Sequence, residues 1–535
     1  MKTSTCTETV QPLETLPEAF PGRIQETEAQ ASTVLAGRPL SPLVVGEAGE
    51  NEIIRSARSK TVVAITVCAT GLNALLASLV IITFPSIASD LHLSTELQLW
   101  PISVYSLTCG CTLLLLGSIT DAVGSRPIYL AGCLFQTAFT LACGLSQTGA
   151  QIIIFRGFGG VASSFLLPSA VSIVSETFPD GKQRNMAFAF LGGSQPVGFA
   201  VGLLLGGLLS DAIGWRWGFY IASIVSGVVF ALAFWAIPPQ KKQKRSELLA
   251  HLKHEIDWIG IVIGSASVGL LSYAFTTITD KVVNITQPGT LVTLILSVVL
   301  APAFVLWVGR QERLGKPAVI PNSLWRNRIF TTICLGLFLT WGAVTSSDSY
   351  QSLFFQEVQT NSPLQTSLRF LPGVVSASLS TLLVGFLAHR VHIGWAVSCG
   401  MLVTAVGILL MCIIQPEWSY WACAFLAVVL SPIGGDALYT VSNLVITSVF
   451  PRQTQALAGG VLNTITQLAK TVSLATSGAI AGSVTSRSRH EKTSPSALME
   501  GYRAAFWYFF ALACATILLF VWGLRGIGRL DKKKA

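Results

Sequence analysis

Long apolar stretches, separated by short polar segments, occupy the chain between residues 60 and 525. A membrane-spanning helix needs about 20 mostly apolar residues, because the hydrocarbon core of a bilayer is about 30 Å thick. Fourteen stretches are long enough, and we predict that each is a spanning helix. Their predicted bounds are 62–84, 98–119, 127–146, 150–174, 186–210, 216–237, 256–278, 289–309, 329–350, 366–388, 394–414, 419–447, 456–483 and 504–525.

The seventh and eighth stretches decide between fourteen spans and a twelve-span alternative that omits them. Both are as apolar as the others. The sequon Asn284-Ile285-Thr286 lies between them, in a loop that faces outwards if both stretches span the membrane. Because an outer sequon can be glycosylated, its position favours fourteen spans and makes Asn284 a candidate glycosylation site.

The composition excludes most soluble classes of protein. Charged residues make up 11% of the chain and hydrophobic residues 51%, whereas about 25% of an ordinary soluble domain is charged. The lipid bilayer is therefore the expected surroundings of most of the chain. Residues 1–58 are polar and contain no apolar core of a signal peptide, so we predict a disordered cytoplasmic tail there.

The net charge of +9 is distributed among the loops. A nucleic-acid-binding surface would gather such charge on one face, so we expect no nucleic-acid partner. Cytoplasmic loops of membrane proteins collect Lys and Arg. With the N-terminus inside, most of the 35 lysines and arginines fall in inner loops, which predicts that both termini are cytoplasmic.

Residue spacings typical of metal or nucleotide sites are missing from the sequence. The eleven cysteines form no CxxC pair, and His251-x-x-His254 has no third ligand. No GxxxxGK[ST] loop occurs, which argues against an ATP-driven pump. We therefore predict no metal, no cofactor and no enzymatic activity.

The two halves of the chain share features at corresponding positions. Phe178-Pro179 follows the fourth stretch as Phe450-Pro451 follows the twelfth, and Asp121 after the second stretch corresponds to His389 after the tenth. Two parallel six-helix repeats joined by an extra helix pair explain both offsets. Parallel repeats of this kind occur in one transporter architecture.

The loop after the second stretch carries the most specific motif. Its pattern, Gly117-x3-Asp121-x2-Gly124-x-Arg126, resembles the signature loop between helices two and three of the major facilitator superfamily. Arg156, followed by Gly, resembles the intramembrane arginine motif of the same family.

The fifth stretch resembles the antiporter motif of that family, through Gly192, Pro196 and Gly198. With fourteen spans, the chain is similar to the drug:proton antiporter-2 branch. FPSIASDL, WRWGFY and the Gly435-Asp436 pair resemble its fungal aminotriazole-resistance-type members. The resemblance covers about residues 60–525.

The resemblance implies an all-α membrane protein with the major facilitator fold, two six-helix bundles and two extra central helices. The implied divisions are a tail at 1–58, the first bundle at 59–237, basic loops with the extra helices at 238–328, the second bundle at 329–525 and a basic cytoplasmic tail at 526–535.

The implied function is secondary active export of small organic compounds, such as drugs, toxicants or secondary metabolites, by proton antiport with alternating access. Import of a nutrient such as a siderophore, polyol or organic ion, and a non-transporting receptor, are the alternatives. The implied partners are a small-molecule substrate and protons. We expect a monomer in the plasma membrane, with the vacuolar membrane as the alternative.

Two departures from the family pattern add candidates for proton coupling or substrate binding. The antiporter motif usually has Gly directly before Pro196, where this chain has Gln195. The branch often has an acidic residue in the first span, where this chain has only Asn73.

Two charged residues in the first half have functional and structural interpretations. We expect Asp121 to open the third helix, where the macrodipole stabilises a carboxylate; its loop either latches the halves together or only caps the helix. Arg156 lies in a span, where an unpaired charge is costly. It either controls a proton site or binds substrate, or its side chain extends to the outer interface.

Three charged residues in the second half are further candidates. Asp436 and Lys470 lie near the middles of consecutive antiparallel spans, so contact between them is plausible. They either exchange a proton during transport or form a permanent ion pair, and Lys470 alternatively attracts an anionic substrate. Asp348, near the outer end of the ninth span, either faces the interface or lines the cavity.

Overall fold

The computed structural model describes residues 42–93, 99–178, 181–238, 256–278, 287–316, 318–320, 322–387, 393–449, 452–488 and 494–523. Met1–Arg58 and Ser59–Ala535 form separate units. The first helix begins at Pro42, within the segment that the sequence predicts to be disordered.

Fourteen long helices carry the fold in the described part of the chain. They are α1 (Pro42–Asp90), α2 (Trp100–Val123), α3 (Ser125–Leu145), α4 (Gly149–Thr177), α5 (Lys182–Ala212), α6 (Arg216–Ala236), α7 (Trp258–Ile278), α8 (Pro288–Arg313), α9 (Arg328–Leu353), α10 (Pro363–Leu387), α11 (Ile393–Ile413), α12 (Ala424–Leu430 and Ile433–Val449), α13 (Arg452–Arg487) and α14 (Pro495–Gly523). A π-helix, Phe354–Val358, extends α9.

The predicted all-helical membrane architecture is confirmed. Within the described residues, twelve helices are long and apolar enough to cross a membrane. The other two predicted spans are also helices, α7 and α13. The apolar part of α7 that the structure describes is short, and α13 is rich in Thr, Ser and Gln. Polar residues of this kind are expected in a membrane helix that faces the bundle interior.

Side-chain caps and glycine turns set several helix ends. Thr148 accepts a hydrogen bond from Gln151 N at the start of α4 (3.3 Å), and Asn327 accepts one from Ile329 N at the start of α9 (3.0 Å). Gly124 joins α2 to α3 with φ of +101°, a conformation that favours glycine. These short connections make the neighbouring helices antiparallel.

A polar cluster ties together the ends of α1, α3 and α6. Arg216 forms an ion pair with Asp90 at 2.5 Å, and Trp215 Nε1 donates to the same carboxylate over 3.2 Å. Arg216 also donates to Ser146 O at the end of α3. The FPSIASDL and WRWGFY segments therefore meet in space.

The extra helices α7 and α8 pack against each other at the edge of the unit. Helix α7 contacts α2 and α13, which belong to different halves. Only 11% of the residues in the most apolar part of α8 are buried. An apolar helix exposed in this way is suited to contact lipid.

Among the described residues, the hydrogen bonds between the two halves lie on the side of the α1–α2 connection or near the middle of α2. Ser352 Oγ and Gln356 Nε2 donate to the carbonyls of Ile81 and Ile82, over 2.8 and 3.0 Å. Between the start and the middle of α5, Gly192, Gly193 and Gln195 are exposed. The halves are therefore closed against each other on the α1–α2 side.

Candidate functional site

A small polar cavity lies where α2 of the first half meets α9 and α13 of the second. Its volume is about 20 Å³, room for about one water molecule. Ile102 and Leu474 supply its apolar lining. Its polar lining consists of Ser103, Ser106, Thr345, Ser346, Ser349 and Lys470. Because both halves contribute, the shape of the cavity depends on how the halves meet.

Lys470 reaches this cavity from α13. Its Nζ lies 5.1 Å from the centroid of the Trp341 ring, and Trp341 packs edge-on against Tyr439. No carboxylate among the described residues lies within 4.0 Å of Nζ. Lys470 and Asp436 thus do not form the ion pair that their equal depth made plausible, and an aromatic ring replaces the carboxylate as the neighbour of the ammonium.

Asp348 on α9 and Asp436 on α12 lie close enough for their charges to interact. Both side chains are half-buried. Gly435, beside Asp436, lies against Thr340 and Val344 of α9. In the described part of the chain, neither carboxylate has a cationic partner within 4.0 Å. The pair therefore consists of two interacting like charges, with no counter-ion within 4.0 Å among the described residues.

Arg156 lies inside the first half, where its side chain is 4% exposed. Its Nε donates to Pro101 O over 3.1 Å, and its guanidinium lies 4.5 Å from the centroid of the Tyr105 ring. The Tyr105 hydroxyl donates to Asn73 Oδ1 over 2.9 Å. Asn73 and Arg156, both candidates from the sequence, are thus joined through Tyr105, which the sequence analysis missed.

Helix α5 packs closely on α1 through its glycines. A Cβ atom at Gly198 would lie 2.1 Å from the carbonyl oxygen of Gly71, whereas Gly192 and Gly193 have open space around them. The helix runs unbroken through Pro196. Gln195 is exposed on the face that carries Gly192. One face of α5 is therefore fixed to α1 and the other is open.

The signature loop corrects one expectation. Asp121 lies in the last turn of α2, before Gly124, and does not open α3. The macrodipole at a helix C-terminus disfavours a carboxylate, so the capping interpretation is wrong. Gly117 faces Pro168 of α4, and Arg126 Nη2 donates to Phe234 O of α6 over 3.1 Å.

Asn284, the candidate glycosylation site, lies outside the described residues.

The architecture points to a transporter of known type, through the order of its helices, the contacts of α2 with α13 and the charged residues in its interior. The profile of the Major Facilitator Superfamily matches residues 66–397 and 359–534. The chain belongs to the major facilitator superfamily.

Relatives within the major facilitator superfamily agree with this assignment. The chain is 36% identical over 507 residues to the "MFS-type transporter 1" of Pyricularia oryzae, covering 86% of this chain and 82% of the relative. It is 24% identical to the "Aminotriazole resistance protein" of Saccharomyces cerevisiae, covering 78% and 75% of the two chains. It is 25% identical to the "Efflux pump terJ" of Aspergillus terreus, covering 78% and 79%.

A solved structure shares the fold. A bacterial homologue of the human lysosomal transporter Spinster, in an inward-facing and occupied conformation, matches with a TM-score of 0.59 and 16% identity. The match covers 90% of this chain and 99% of that one. The expected family, fold and absence of an enzymatic role are thereby confirmed: the chain is a major facilitator transporter with resistance and efflux proteins among its relatives.

The hydroxyl groups of this transporter's cavity were missed by sequence reasoning. Thr345, Ser346 and Ser349 surround Asp348 in the run TSSDS, an unusually polar segment within an apolar span. That contrast could have identified these hydroxyl groups as candidate lining of a polar cavity. Ser106 on α2 had no such signal, because only the contact between the halves brings it to the cavity.

Proposed function

We propose that this transporter exports small organic compounds, such as drugs, toxicants or secondary metabolites, in exchange for protons. The names of two relatives, an efflux pump and a resistance protein, support the direction and the substrate class. The driving force would be the proton gradient together with the membrane potential, which is worth about 2.3 kcal/mol per charge per 100 mV.

One observation carries the proton coupling: Asp348 and Asp436 lie close enough for their charges to interact, and neither has a cationic partner within 4.0 Å in the described part of the chain. Holding two negative charges together inside a membrane protein is costly. A proton on one of the two removes the repulsion between them. When the cavity closes to one side of the membrane and opens to the other, the access of water to the pair changes, and the proton is taken up or released.

Alternating access would follow from the contacts between the halves. We propose that the N-terminus is cytoplasmic, so that the α1–α2 side is the outer side. The contacts of Ser352 and Gln356 with α1 then close the outer side, and the open face of α5 lies towards the cytoplasm. In this state the transporter would load substrate from inside the cell.

The remaining motif residues receive roles in the same cycle. Gly117, Asp121, Gly124 and Arg126 would latch the halves together in the outward-open state. Arg156, held by Tyr105 and Pro101, would act on the proton site or bind substrate. Gln195, with Gly192, Pro196 and Gly198, would seal the cavity between states. We further propose a monomer in the plasma membrane, glycosylated at Asn284.

The test is uptake into inside-out membrane vesicles that carry an imposed proton gradient. A mixed panel of toxicants, including aminotriazole, and secondary metabolites is offered, with and without a protonophore. We expect uptake that the protonophore abolishes and that Asp436→Asn and Asp348→Asn reduce at least tenfold. Uptake only in right-side-out vesicles would indicate import instead. Gradient-driven uptake that survives both substitutions would refute the assignment of the proton site.

A further inference from the structure

The cavity between α2, α9 and α13 contains polar groups that lack partners. Ser346 is 1% exposed, and its Oγ makes no hydrogen bond within the described part of the chain. Ser106 and Thr345, which line the same cavity, form no side-chain hydrogen bond within the described residues. Burying an unpaired hydroxyl is unfavourable. Ser346 is such a group, and the partly buried hydroxyls of Ser106 and Thr345 face the same cavity. Together they indicate a ligand that completes their bonding.

The charge of the lining indicates the sign of that ligand. Lys470 is the charged residue in the lining, and its Nζ lies 5.1 Å from the centroid of the Trp341 ring. An ammonium and hydroxyls can all donate hydrogen bonds, and no carboxylate lines the cavity. A carboxylate accepts charge-assisted hydrogen bonds from donors of this kind. The lining is therefore suited to an anionic ligand.

We propose that Lys470, with the hydroxyls of Ser106, Thr345 and Ser346, binds the carboxylate group of an organic substrate. The transported class would then be organic acids, including compounds that carry other charges elsewhere. This inference rests on the proposed transport function and narrows its substrate class.

The position of the cavity favours a transported group over a resident ion. Its lining comes from both halves, so a movement between the halves changes the distance from Ser106 to Ser346 and Lys470. The closed volume of about 20 Å³ is too small for a whole substrate. The cavity would widen as the halves part, with Ile102 and Leu474 contacting the apolar body of the substrate beside its carboxylate.

The carboxylate site and the proton site are separate in this arrangement. Lys470 forms no ion pair with Asp348 or Asp436 in the described part of the chain. A substrate carboxylate at Lys470 therefore does not need to displace an internal salt bridge, which would otherwise compete with it.

The test is binding to the purified full-length protein in detergent, measured as the rise in the midpoint of thermal unfolding with ligand concentration. Three carboxylates are compared with their amides: benzoate with benzamide, hexanoate with hexanamide, and indole-3-acetate with indole-3-acetamide. We expect at least one carboxylate to raise the midpoint and its amide to have no effect. Chloride and sulfate at matched ionic strength form a separate arm.

Variants assign the binding to the cavity. Lys470→Ala should abolish the rise, and Lys470→Arg should retain part of it because the positive charge remains. Ser346→Ala should weaken binding about tenfold, the equivalent of one charge-assisted hydrogen bond, without lowering the midpoint of the unliganded protein. Arg487→Ala, at the exposed end of the same helix, is the matched control and should leave binding unchanged.

Each result decides the proposal. No rise with any carboxylate, equal rises with carboxylate and amide, or binding that survives Lys470→Ala would overturn it. An equal, Lys470-dependent rise with chloride or sulfate would identify an inorganic anion site and also overturn it. The assay measures binding without transport, so it can be compared with uptake in vesicles. If vesicles show proton-driven uptake but the purified protein binds no carboxylate, only this inference is refuted. Carboxylate binding without proton-driven uptake would refute only the proposed coupling.

Discussion

Single charged residues inside the membrane carry the functional argument, because each costs free energy unless a partner or a ligand compensates it. Arg156 is compensated by Pro101 O and the Tyr105 ring. Asp348 and Asp436 repel each other and have no cationic partner within 4.0 Å in the described part of the chain, and Lys470 lies over the Trp341 ring. The Arg156 side chain thus has partners within the protein. A proton would lower the cost of the Asp348–Asp436 pair, and a bound anion would lower the cost of Lys470.

Substitutions in the carboxylate pair distinguish a role in proton coupling from a role in the stability of the fold. Asp348→Asn and Asp436→Asn should each reduce gradient-driven uptake at least tenfold while leaving the midpoint of thermal unfolding unchanged or higher, because each removes a repulsive charge. Glu500→Gln, at an exposed carboxylate of α14, is the control for both readouts. A large fall in the midpoint would show instead that the pair is structural.

The Arg156 cluster makes a stability prediction. Tyr105→Phe removes the hydroxyl that donates to Asn73 and should lower the free energy of unfolding by about 1 kcal/mol. Asn73→Ala in addition should cost less than the sum of the two single changes, because the residues share one hydrogen bond. Denaturation of all three variants measures this, and strict additivity would contradict the contact.

Glycine positions govern packing at the scale of the helices. Gly198→Ala places a Cβ against the Gly71 backbone of α1, which cannot move aside as a flexible side chain could. We expect a clear loss of thermal stability, or no folded protein. Gly193→Ala, five residues earlier in open space, should have little effect on stability. Similar unfolding midpoints for the two variants would disprove the close contact between α5 and α1.

The helices were largely predictable from the sequence, because length and hydropathy determine which segments can cross a bilayer. All fourteen predicted spans are helical, although Ser431 and Pro432 interrupt α12. The end of α2 was placed wrongly, because the sequence before Gly124 does not show on which side of the turn Asp121 lies. Helix α13 was found despite its polar residues, through its alanines, leucines and valines.

The site was only partly predictable, because it depends on contacts between helices far apart in the chain. Charged residues within apolar spans are conspicuous in a sequence, and Arg156, Asp348, Asp436 and Lys470 were found in that way. Their partners were not. Nothing in the sequence separates Trp341 from Asp436 as the neighbour of Lys470, since both lie at a similar depth.

At the largest scale, the unit Ser59–Ala535 has two halves that are closed against each other on the α1–α2 side. There, Leu364 N of α10 donates to Asp211 Oδ2 of α5 over 3.2 Å. The proposed cycle requires this contact to open once per turnover. Transport therefore depends on relative movement of the halves.

Cross-linking across this contact should stop transport. In a variant with Asp211→Cys and Leu364→Cys, a short bifunctional thiol reagent cleavable by reduction should abolish uptake, and dithiothreitol should restore it. Each single substitution, treated in the same way, controls for reaction at the native cysteines. Undiminished uptake by the cross-linked protein would show that this contact does not open.

The most direct test of proton exchange is the movement of protons themselves. The purified protein is placed in liposomes that contain a pH-sensitive dye, and a compound that the vesicles accumulate is added outside, without a proton gradient. We predict that entry of the compound drives protons out and makes the interior alkaline. The change should disappear when Asp348→Asn and Asp436→Asn are combined. Accumulation of the compound without any change in internal pH would contradict proton exchange as the mechanism.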